Sequence, residues 1–381
     1  MVFRQSLGNS TWLRRLPRAL LRAGAALLAV ATISAGAATP SATPAGQLAA
    51  VTGRGLLLIA DVAGARPRVI GADPVFTRSD AAAGWRLAWS RDDPQLAIGT
   101  PAGDLVVAAP SGIRARVPGV WGFAWGDRSL YVLTAAGLGE VRSDGTVRAI
   151  LPIARLTVSG GSVAIVAIRG SAAILARPAV EASAYGGPTD VLALDLRTLR
   201  LSRIGATTSN MFPQEPTLDA GGRVLFIAGV RGGYCMEWHG SVGALRSGRS
   251  RTLFASPARP GSKAGVDILS LAPTAGSVWF TAVDFDDGSC FAASGDQAQH
   301  GRVGVFDPRT GKTAFLPLAV SSVEVDLAGT RLAAIDAIVT FRSEYPEVAP
   351  GTLVTASPQG TSLRTLLDGA VAVAWRPAPT S

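Results

Sequence analysis

The sequence contains few of the residues that enzymes most often use for catalysis. Among 381 residues there are two histidines and two cysteines, and aromatic residues make up 6% of the chain. Neither the G-x-S-x-G turn of serine hydrolases nor the H-E-x-x-H pair of zinc peptidases occurs. These absences count against both enzyme classes, and we predict neither a cofactor nor a metal site.

Long basic stretches are missing too, although the formal net charge is +9. Residues 1–37 carry five arginines and no acid, and without them the chain has 31 basic and 27 acidic residues. No cluster of Lys or Arg follows one helix or strand in the way that a phosphate-tracking surface requires. We therefore predict no nucleic-acid partner.

The first 37 residues have the composition of a signal peptide. Four arginines within 12–22 precede an apolar segment over 23–33, and small residues follow at 35–37. The apolar segment is much shorter than the ~20 residues that a membrane-spanning helix needs. We predict a signal peptide over 1–37, a linker over 38–46, and Sec-dependent export to the periplasm or the outside of the cell. The mature protein is then expected to have no membrane span.

An internal repeat occupies residues 47–381. Its segments share an apolar strand, a small or polar turn, and a second apolar strand that begins with Leu or Val. We place the starts of these second strands at Leu48, Leu96, Leu130, Val163, Val224, Val278 and Leu332. A further turn-rich hairpin in each segment completes four strands. The C-terminal stretch 371–381 supplies only a first strand, and 47–71 aligns with the missing remainder of the same unit.

The turns "WSRDDPQ" at 89–95 and "WGDRS" at 125–129 identify what the repeat resembles. They are similar to the W-S-P-D-G-like turn of the TolB-like and WD40-like β-propellers. The resemblance implies an all-β fold of four-stranded blades, closed by one blade shared between the two ends of the chain. We count seven blades, with six or eight as alternatives. Repeating tryptophans are interpreted as core positions, namely Trp85, Trp89, Trp121, Trp125 and Trp375.

Four units are longer than the others, and we interpret their extra residues as insertions between the second and third strands, at 169–190, 231–241, 284–301 and 341–351. In a propeller such loops lie on one face, so the insertions should form one elaborated rim. Loops on a rigid scaffold commonly carry binding sites. The candidate binding residues are Arg231, Tyr234, Trp238, His239, Asp284, Phe285, Asp286, Asp287, His300 and Tyr345.

Both cysteines lie in two of these insertions, at equivalent distances from the start of the second strand. In an exported protein we interpret Cys235 and Cys290 as a disulfide. A zinc site that adds His239 and His300, or two free thiols, are the alternatives. The acidic run 284–287 is one residue short of a calcium loop and lacks its final Glu, so we interpret it as a solvated loop.

Three functions remain open. The first is an exported, noncatalytic β-propeller that binds a protein or a cell-envelope component through the rim. The second is a propeller enzyme of the lactonase, lyase or quinone-dependent dehydrogenase type, which would act at the central channel. The third is a structural or sensory module whose partner domain is encoded elsewhere. The first is favoured because the mature chain has only two histidines, and we expect it to be a monomer.

Overall fold

A computed structural model describes most of the chain from residue 47 onward. The described ranges are 47–59, 67–72, 76, 84–157, 163–180, 188–207, 216–219, 221–230, 239–256, 265–274, 276–285, 298–326, 329–341 and 346–376. Two compact units divide the chain, Met1–Thr43 and Pro44–Ser381, and every described residue belongs to the second. The predicted signal peptide and linker lie outside the described residues. No helix in the described ranges has the length and apolar character that would let it cross a membrane.

Five antiparallel sheets have four strands each. The first contains β4 (Arg86–Trp89), β5 (Leu96–Gly99), β6 (Leu105–Ala109) and β7 (Gly112–Val117). The second contains β8 (Val120–Trp125), β9 (Leu130–Thr134), β10 (Gly137–Val141) and β11 (Val147–Pro152), followed by a 3-10 helix (Ile153–Arg155). The third contains β12 (Ala164–Arg169), β13 (Ala172–Pro178), β14 (Thr189–Asp195) and β15 (Leu201–Ala206).

The fourth sheet contains β16 (Thr217–Leu218), β17 (Val224–Val230), β18 (His239–Arg246) and β19 (Arg249–Ala255). The fifth contains β20 (Gly265–Pro273), β21 (Val278–Phe285), β23 (Arg302–Asp307) and β24 (Lys312–Ala319). A separate three-stranded sheet contains β22 (Ala298–His300), β27 (Ile338–Phe341) and β28 (Pro346–Val348).

The remaining strands form one continuous sheet of seven. In order across the sheet these are β25 (Ser322–Val325), β26 (Leu332–Asp336), β29 (Gly351–Ala356), β30 (Arg364–Trp375), β1 (Leu48–Thr52), β2 (Gly55–Ile59) and β3 (Pro67–Gly71). The long strand β30 joins the two ends of the chain, because its first half pairs with β29 and its second half pairs with β1.

The predicted count of seven four-stranded blades is wrong, and so are the alternatives of six and eight. The structure has five four-stranded blades. The reason is the twelve-residue strand β30, which continues from its pairing with β29 to its pairing with β1 without ending. Segments that the sequence suggested as separate blades are thereby hydrogen-bonded into one sheet. The pairing of the C-terminal stretch with the first described strand is present, with Leu48 opposite Trp375.

The sheet of β4 to β7 is covered on both faces by its neighbours, which explains why its middle strands are almost entirely apolar. In β5, Leu96 and Ile98 pack into one buried cluster, whereas Ala97 packs into another. Successive residues of a strand point to opposite faces, so one strand contributes to two interfaces. The first cluster includes residues of β1 and β2, and the second includes residues of β8 and β9. This is the sheet-against-sheet packing of a propeller.

Most of the predicted second strands begin where the sequence indicated. Leu96, Leu130, Val224, Val278 and Leu332 each begin the second strand of their unit.

The position assigned to Val163 is wrong. The strand after Val163 is β12, which is the first strand of its sheet, and β13 is the second. The stretch 169–190 therefore contains a regular blade strand, and only residues 179–188 connect β13 to β14. The error arose because 150–157 contains apolar residues that resemble a first strand, whereas 153–155 form a 3-10 helix.

Tryptophans connect neighbouring sheets by hydrogen bonds to the main chain. Trp89 donates through Nε1 to the carbonyl oxygen of Ala374 at 3.2 Å. Trp125 donates in the same way to Ala88 at 2.8 Å. In both pairs the donor lies at the end of one first strand and the acceptor lies on a strand of the adjacent sheet. The interpretation of Trp89 and Trp125 as repeat positions is consistent with this shared contact.

Trp121 departs from the predicted core pattern. Trp85 and Trp375 are buried, but Trp121 is 52% exposed. The ladder between β8 and β9 shifts between Val120 and Gly122, so Trp121 occupies a β-bulge. A bulged residue has no direct partner, and the local kink turns its side chain away from the direction set by alternation.

Candidate functional site

Two of the predicted insertions meet in the three-stranded sheet, which we call the rim sheet (β22, β27 and β28). β22 lies in the connection between β21 and β23, whereas β27 and β28 lie in the connection between β26 and β29. β22 pairs antiparallel with β27, and the last pair of this ladder is His300 with Ile338. Insertions from two successive units of the repeat are therefore held together by main-chain hydrogen bonds.

A side-chain contact ties the rim sheet to the sheet beneath it. His300 Nδ1 lies 3.0 Å from Oδ1 of Asp336, the last residue of β26. Both side chains are about half exposed, at 53% and 44%. An exposed pair of this kind contributes at most about 1 kcal/mol to stability. The contact also orients the ring: in a neutral imidazole whose Nδ1 donates to the carboxylate, Nε2 is a hydrogen-bond acceptor.

The rim sheet has one exposed and one buried side near this pair. Ile338 is 44% exposed, whereas the next residue, Val339, is fully buried. Directly opposed residues of an antiparallel ladder have their side chains on the same face, so Ile338 and His300 are neighbours on the exposed face. Together with Asp336 they place an apolar group, an imidazole and a carboxylate side by side. Such a mixture suits recognition of a polar surface with small apolar groups.

Two glycines allow the chain to pass closely between the rim sheet and the blades. A Cβ atom on Gly351 would lie 2.3 Å from the carbonyl oxygen of Asp336 and 2.6 Å from Cβ of Ala337. A Cβ atom on Gly301 would lie 2.2 Å from the carbonyl oxygen of Val320. The amide of Val320 also donates to the carbonyl oxygen of Gly301 at 2.8 Å. The position of the rim sheet is thus fixed by tight main-chain packing on both sides.

Only part of the predicted binding set can be located. His239 is opposite Val230 at the start of β18, and Asp284 and Phe285 lie at the end of β21, opposite Val266 and Gly265. His300 is the one candidate whose side chain is described, and it contacts Asp336. The other candidates lie outside the described residues: Arg231, Tyr234, Trp238, Asp286, Asp287 and Tyr345. Cys235 and Cys290 lie outside them as well, so the disulfide stays a prediction.

Two residues of the site were not predicted from the sequence. Asp336 ends a blade strand in "RLAAID", and Ile338 begins the next strand two residues later. Both residues lie before the predicted start of this insertion at 341, whereas the connection between β26 and β29 begins directly after Asp336. Asp336 belongs to the strand end that supports the insertion and not to the insertion itself.

Two of the displaced pKa values belong to carboxylates in turns between strands. In the ranges that the structure describes, no three His, Cys, Asp or Glu side chains are grouped so as to hold a metal ion. The pKa of Asp195 is lowered mainly by the amide of Thr198, and that of Asp307 mainly by the amide of Arg309. Both carboxylates cap turns between third and fourth strands, where amide donors favour the charged form.

Comparison with protein-family models and with curated proteins found no match. Several solved structures are similar. Oligogalacturonate lyase in complex with manganese is 11% identical, with 74% of this chain and 83% of that chain covered and a TM-score of 0.46. The WD40 domain of Neurospora crassa Pan2 is 12% identical, with 78% and 90% covered and a TM-score of 0.46. Putative TolB from Agrobacterium tumefaciens is 11% identical, with 71% and 88% covered and a TM-score of 0.38.

The likeness to these structures concerns the fold alone. The β-propeller arrangement itself rests on the strand pairing described above, and the predicted resemblance to β-propellers is confirmed at the level of that arrangement.

Proposed function

We propose that this protein is an exported, noncatalytic β-propeller that binds a protein or a cell-envelope component through the rim sheet and the loops beside it. The observation that carries the proposal is the pairing of two insertions into one sheet, reinforced by His300 and Asp336. Insertions without a function would have no reason to pair with each other through main-chain hydrogen bonds. We expect the protein to act as a monomer, and we expect the rim to bind no nucleic acid.

The composition of the rim supports recognition rather than chemistry. Its exposed face combines Ile338 with the His300 and Asp336 pair, and the strands beneath it belong to a rigid, buried framework. A surface held in place before binding loses little conformational entropy when a partner docks. The contact residues are therefore ordered in advance by main-chain pairing, which favours a specific partner over a variable set.

Affinity capture from the native cell envelope tests the proposal. The mature protein is compared with Ile338→Asp, which places a charge on the exposed face of the rim sheet, and with Val69→Asp as a matched control. Val69 is also about half exposed, at 52%, but lies on the outer strand β3. We expect Ile338→Asp to capture at least tenfold less partner than the unmodified protein, and Val69→Asp to capture the same amount. Equal capture by both variants would overturn the proposal.

If the protein is exported, its two cysteines are expected to be in an oxidising compartment. In an oxidising compartment we propose that Cys235 and Cys290 are paired. Peptide mapping of the exported protein under nonreducing conditions should find the two segments linked. Two reactive thiols in that sample would contradict the pairing.

A further inference from the structure

The hairpin of β18 and β19 brings three arginines together, which departs from the expectation that no cluster of basic residues follows a strand. Arg246 ends β18, Arg249 begins β19, and Arg251 follows two residues later. All three are exposed. The turn between them consists of Ser247 and Gly248, both with positive φ, at 50° and 78°. Two central residues with positive φ are typical of the tight type I′ turn. Arg246 and Arg249 therefore directly flank a two-residue hairpin turn.

Strand pairing places the three guanidinium groups on one face. Arg246 is directly opposite Arg249 in the ladder, and residues in that position project side by side. Arg251 is two residues from Arg249 and therefore points to the same face. The opposite face is closed by Leu245, which is 1% exposed and packs into a core cluster. The spacing between neighbouring arginine Cβ atoms is about 5 to 7 Å.

No acid neutralises this arrangement in the described part of the chain. Other arginines have carboxylate partners, such as Arg203 with Asp190 and Arg223 with Asp219. Within the described ranges, Arg246, Arg249 and Arg251 have no hydrogen bond or ion pair to a side-chain acid. The sequence from 238 to 266 contains five basic residues and no acidic one. Like charges placed directly opposite one another on a sheet are destabilising, so this feature is not explained by stability.

We propose that this hairpin is a binding site for a linear polyanion that carries phosphate or sulfate groups at short, regular intervals. The arginine fork binds oxyanions through two parallel hydrogen bonds, and a row of three forks matches a chain of successive charges better than a single anion. Docking flat on a lipid surface is disfavoured, because binding of that kind usually adds buried apolar side chains. The exposed large apolar side chains of the described residues lie outside β18 and β19.

The site is separate from the rim sheet. β18 runs from His239, next to an insertion, to Arg246 at the hairpin turn. The hairpin belongs to the sheet of β16 to β19, whereas the rim sheet contains β22, β27 and β28. The proposal therefore stands or falls independently of the function assigned to the rim.

Titration of the mature protein with linear polyphosphate, repeated over a range of salt concentrations, tests the site. With three contacts, the logarithm of the association constant should fall with the logarithm of the salt concentration with a slope of about −2 to −3. Arg249→Ala should weaken binding and reduce that slope by about one. Arg114→Ala removes an exposed arginine from the outer strand β7 and should leave binding unchanged. Unchanged binding by the triple Arg→Ala variant would overturn the proposal.

Further variants and competition measurements distinguish loss of the binding site from a folding defect, and polyphosphate from other anionic ligands. The triple Arg→Lys variant keeps the charge and should retain binding within a few fold, whereas Arg246→Glu should abolish binding and raise the midpoint of thermal unfolding. A lowered midpoint together with lost binding would show that the arginines act through structure, which would overturn the proposal. Equal competition by orthophosphate at matched phosphate concentration, or arginine-dependent binding to anionic vesicles with none to polyphosphate, would also overturn it.

Discussion

At the scale of single residues, the most informative contacts are those made by the tryptophan indoles. Trp89 and Trp375 are equally buried, at 7% and 8% exposed, and lie at matching positions of their strands. Trp89 Nε1 donates to the carbonyl oxygen of Ala374, whereas Trp375 Nε1 is buried with no hydrogen-bond partner among the described residues. The two residues differ in one hydrogen bond while their packing is similar, which makes them a natural pair for measuring its contribution.

Trp89→Phe should therefore lower the free energy of unfolding more than Trp375→Phe does. Both changes remove a similar volume from the core, but only Trp89→Phe removes an indole hydrogen bond. The expected difference between the variants is about 1 kcal/mol or more. Urea unfolding followed by tryptophan fluorescence and by circular dichroism measures it. Equal losses in the two variants would mean that the indole hydrogen bond has no net effect.

At the scale of an element, the hairpin of β10 and β11 carries a carboxylate that accepts hydrogen bonds from two neighbouring side chains. Glu140 accepts from the Ser129 hydroxyl at 2.5 Å and pairs with Arg148 on the neighbouring strand. The pKa of Glu140 is lowered, mainly by the Ser129 hydrogen bond and then by Arg148, although partial burial acts in the opposite direction. Nearby Tyr131 has a raised pKa, mainly because it is buried and then because Glu140 is close.

A lowered pKa in the folded state predicts a loss of stability in acid. The contribution of Glu140 is complete above its unfolded pKa of about 4.5 and is lost as the pH falls through its lower folded value. Glu140→Gln should therefore destabilise the protein at pH 7, and its difference from the unmodified protein should shrink below about pH 4.5. Urea unfolding at several pH values measures this difference. Asp127→Asn, in the adjacent exposed turn, is the control, and an equal pH dependence in the two variants would contradict the prediction.

The elements also show which features of the fold could be predicted. The strand starts at Leu96, Leu130 and Leu332 were visible because each follows a polar turn and opens an apolar run. Val163 was misplaced because apolar residues before it form a 3-10 helix, which a period of two does not reveal. The exposure of Trp121 depends on a β-bulge, which is set by pairing with another strand and not by the local sequence.

The candidate site, like the fold, could be predicted from the sequence only in part. The spacing of the repeats indicated the two long connections that pair in the rim sheet, and His300 was among the candidate residues in one of them. Its partner Asp336 was not, because the contact joins residues 36 positions apart through two insertions. Tertiary pairing of loops depends on main-chain geometry, which no local pattern in the sequence specifies.

At the scale of the whole molecule, β30 connects the two ends of the described chain. The pairing of its second half with β1 is extended by Arg376, whose amide donates to the carbonyl oxygen of Gln47 at 2.9 Å. The Arg376 guanidinium also donates to Oε1 of Gln47 at 2.7 Å. Without this half of β30, both β1 and the end of β29 would have exposed strand edges, and buried main-chain groups would lose their partners.

Deletion of residues 370–381 should therefore cause a large loss of stability, well above that of a typical single substitution. The truncated protein should unfold at a much lower temperature or fail to fold cooperatively, as measured by calorimetry. Deletion of 377–381 alone leaves β30 intact and should have little effect. If both truncated proteins unfolded like the untruncated protein, the joining of the two ends would contribute nothing to stability.

The joining of the chain ends also has a consequence for the order of synthesis. Gln47 and Arg376 are 329 positions apart, so the edge of β1 that pairs with β30 has no partner until the chain has been made as far as that strand. Closing a loop of this length costs about 5 kcal/mol of chain entropy, and such long-range pairings form late. Until then the apolar segments of β1 and β2 remain open to association with other chains. A nascent chain of this protein therefore needs to be kept apart from its copies until its last strand emerges.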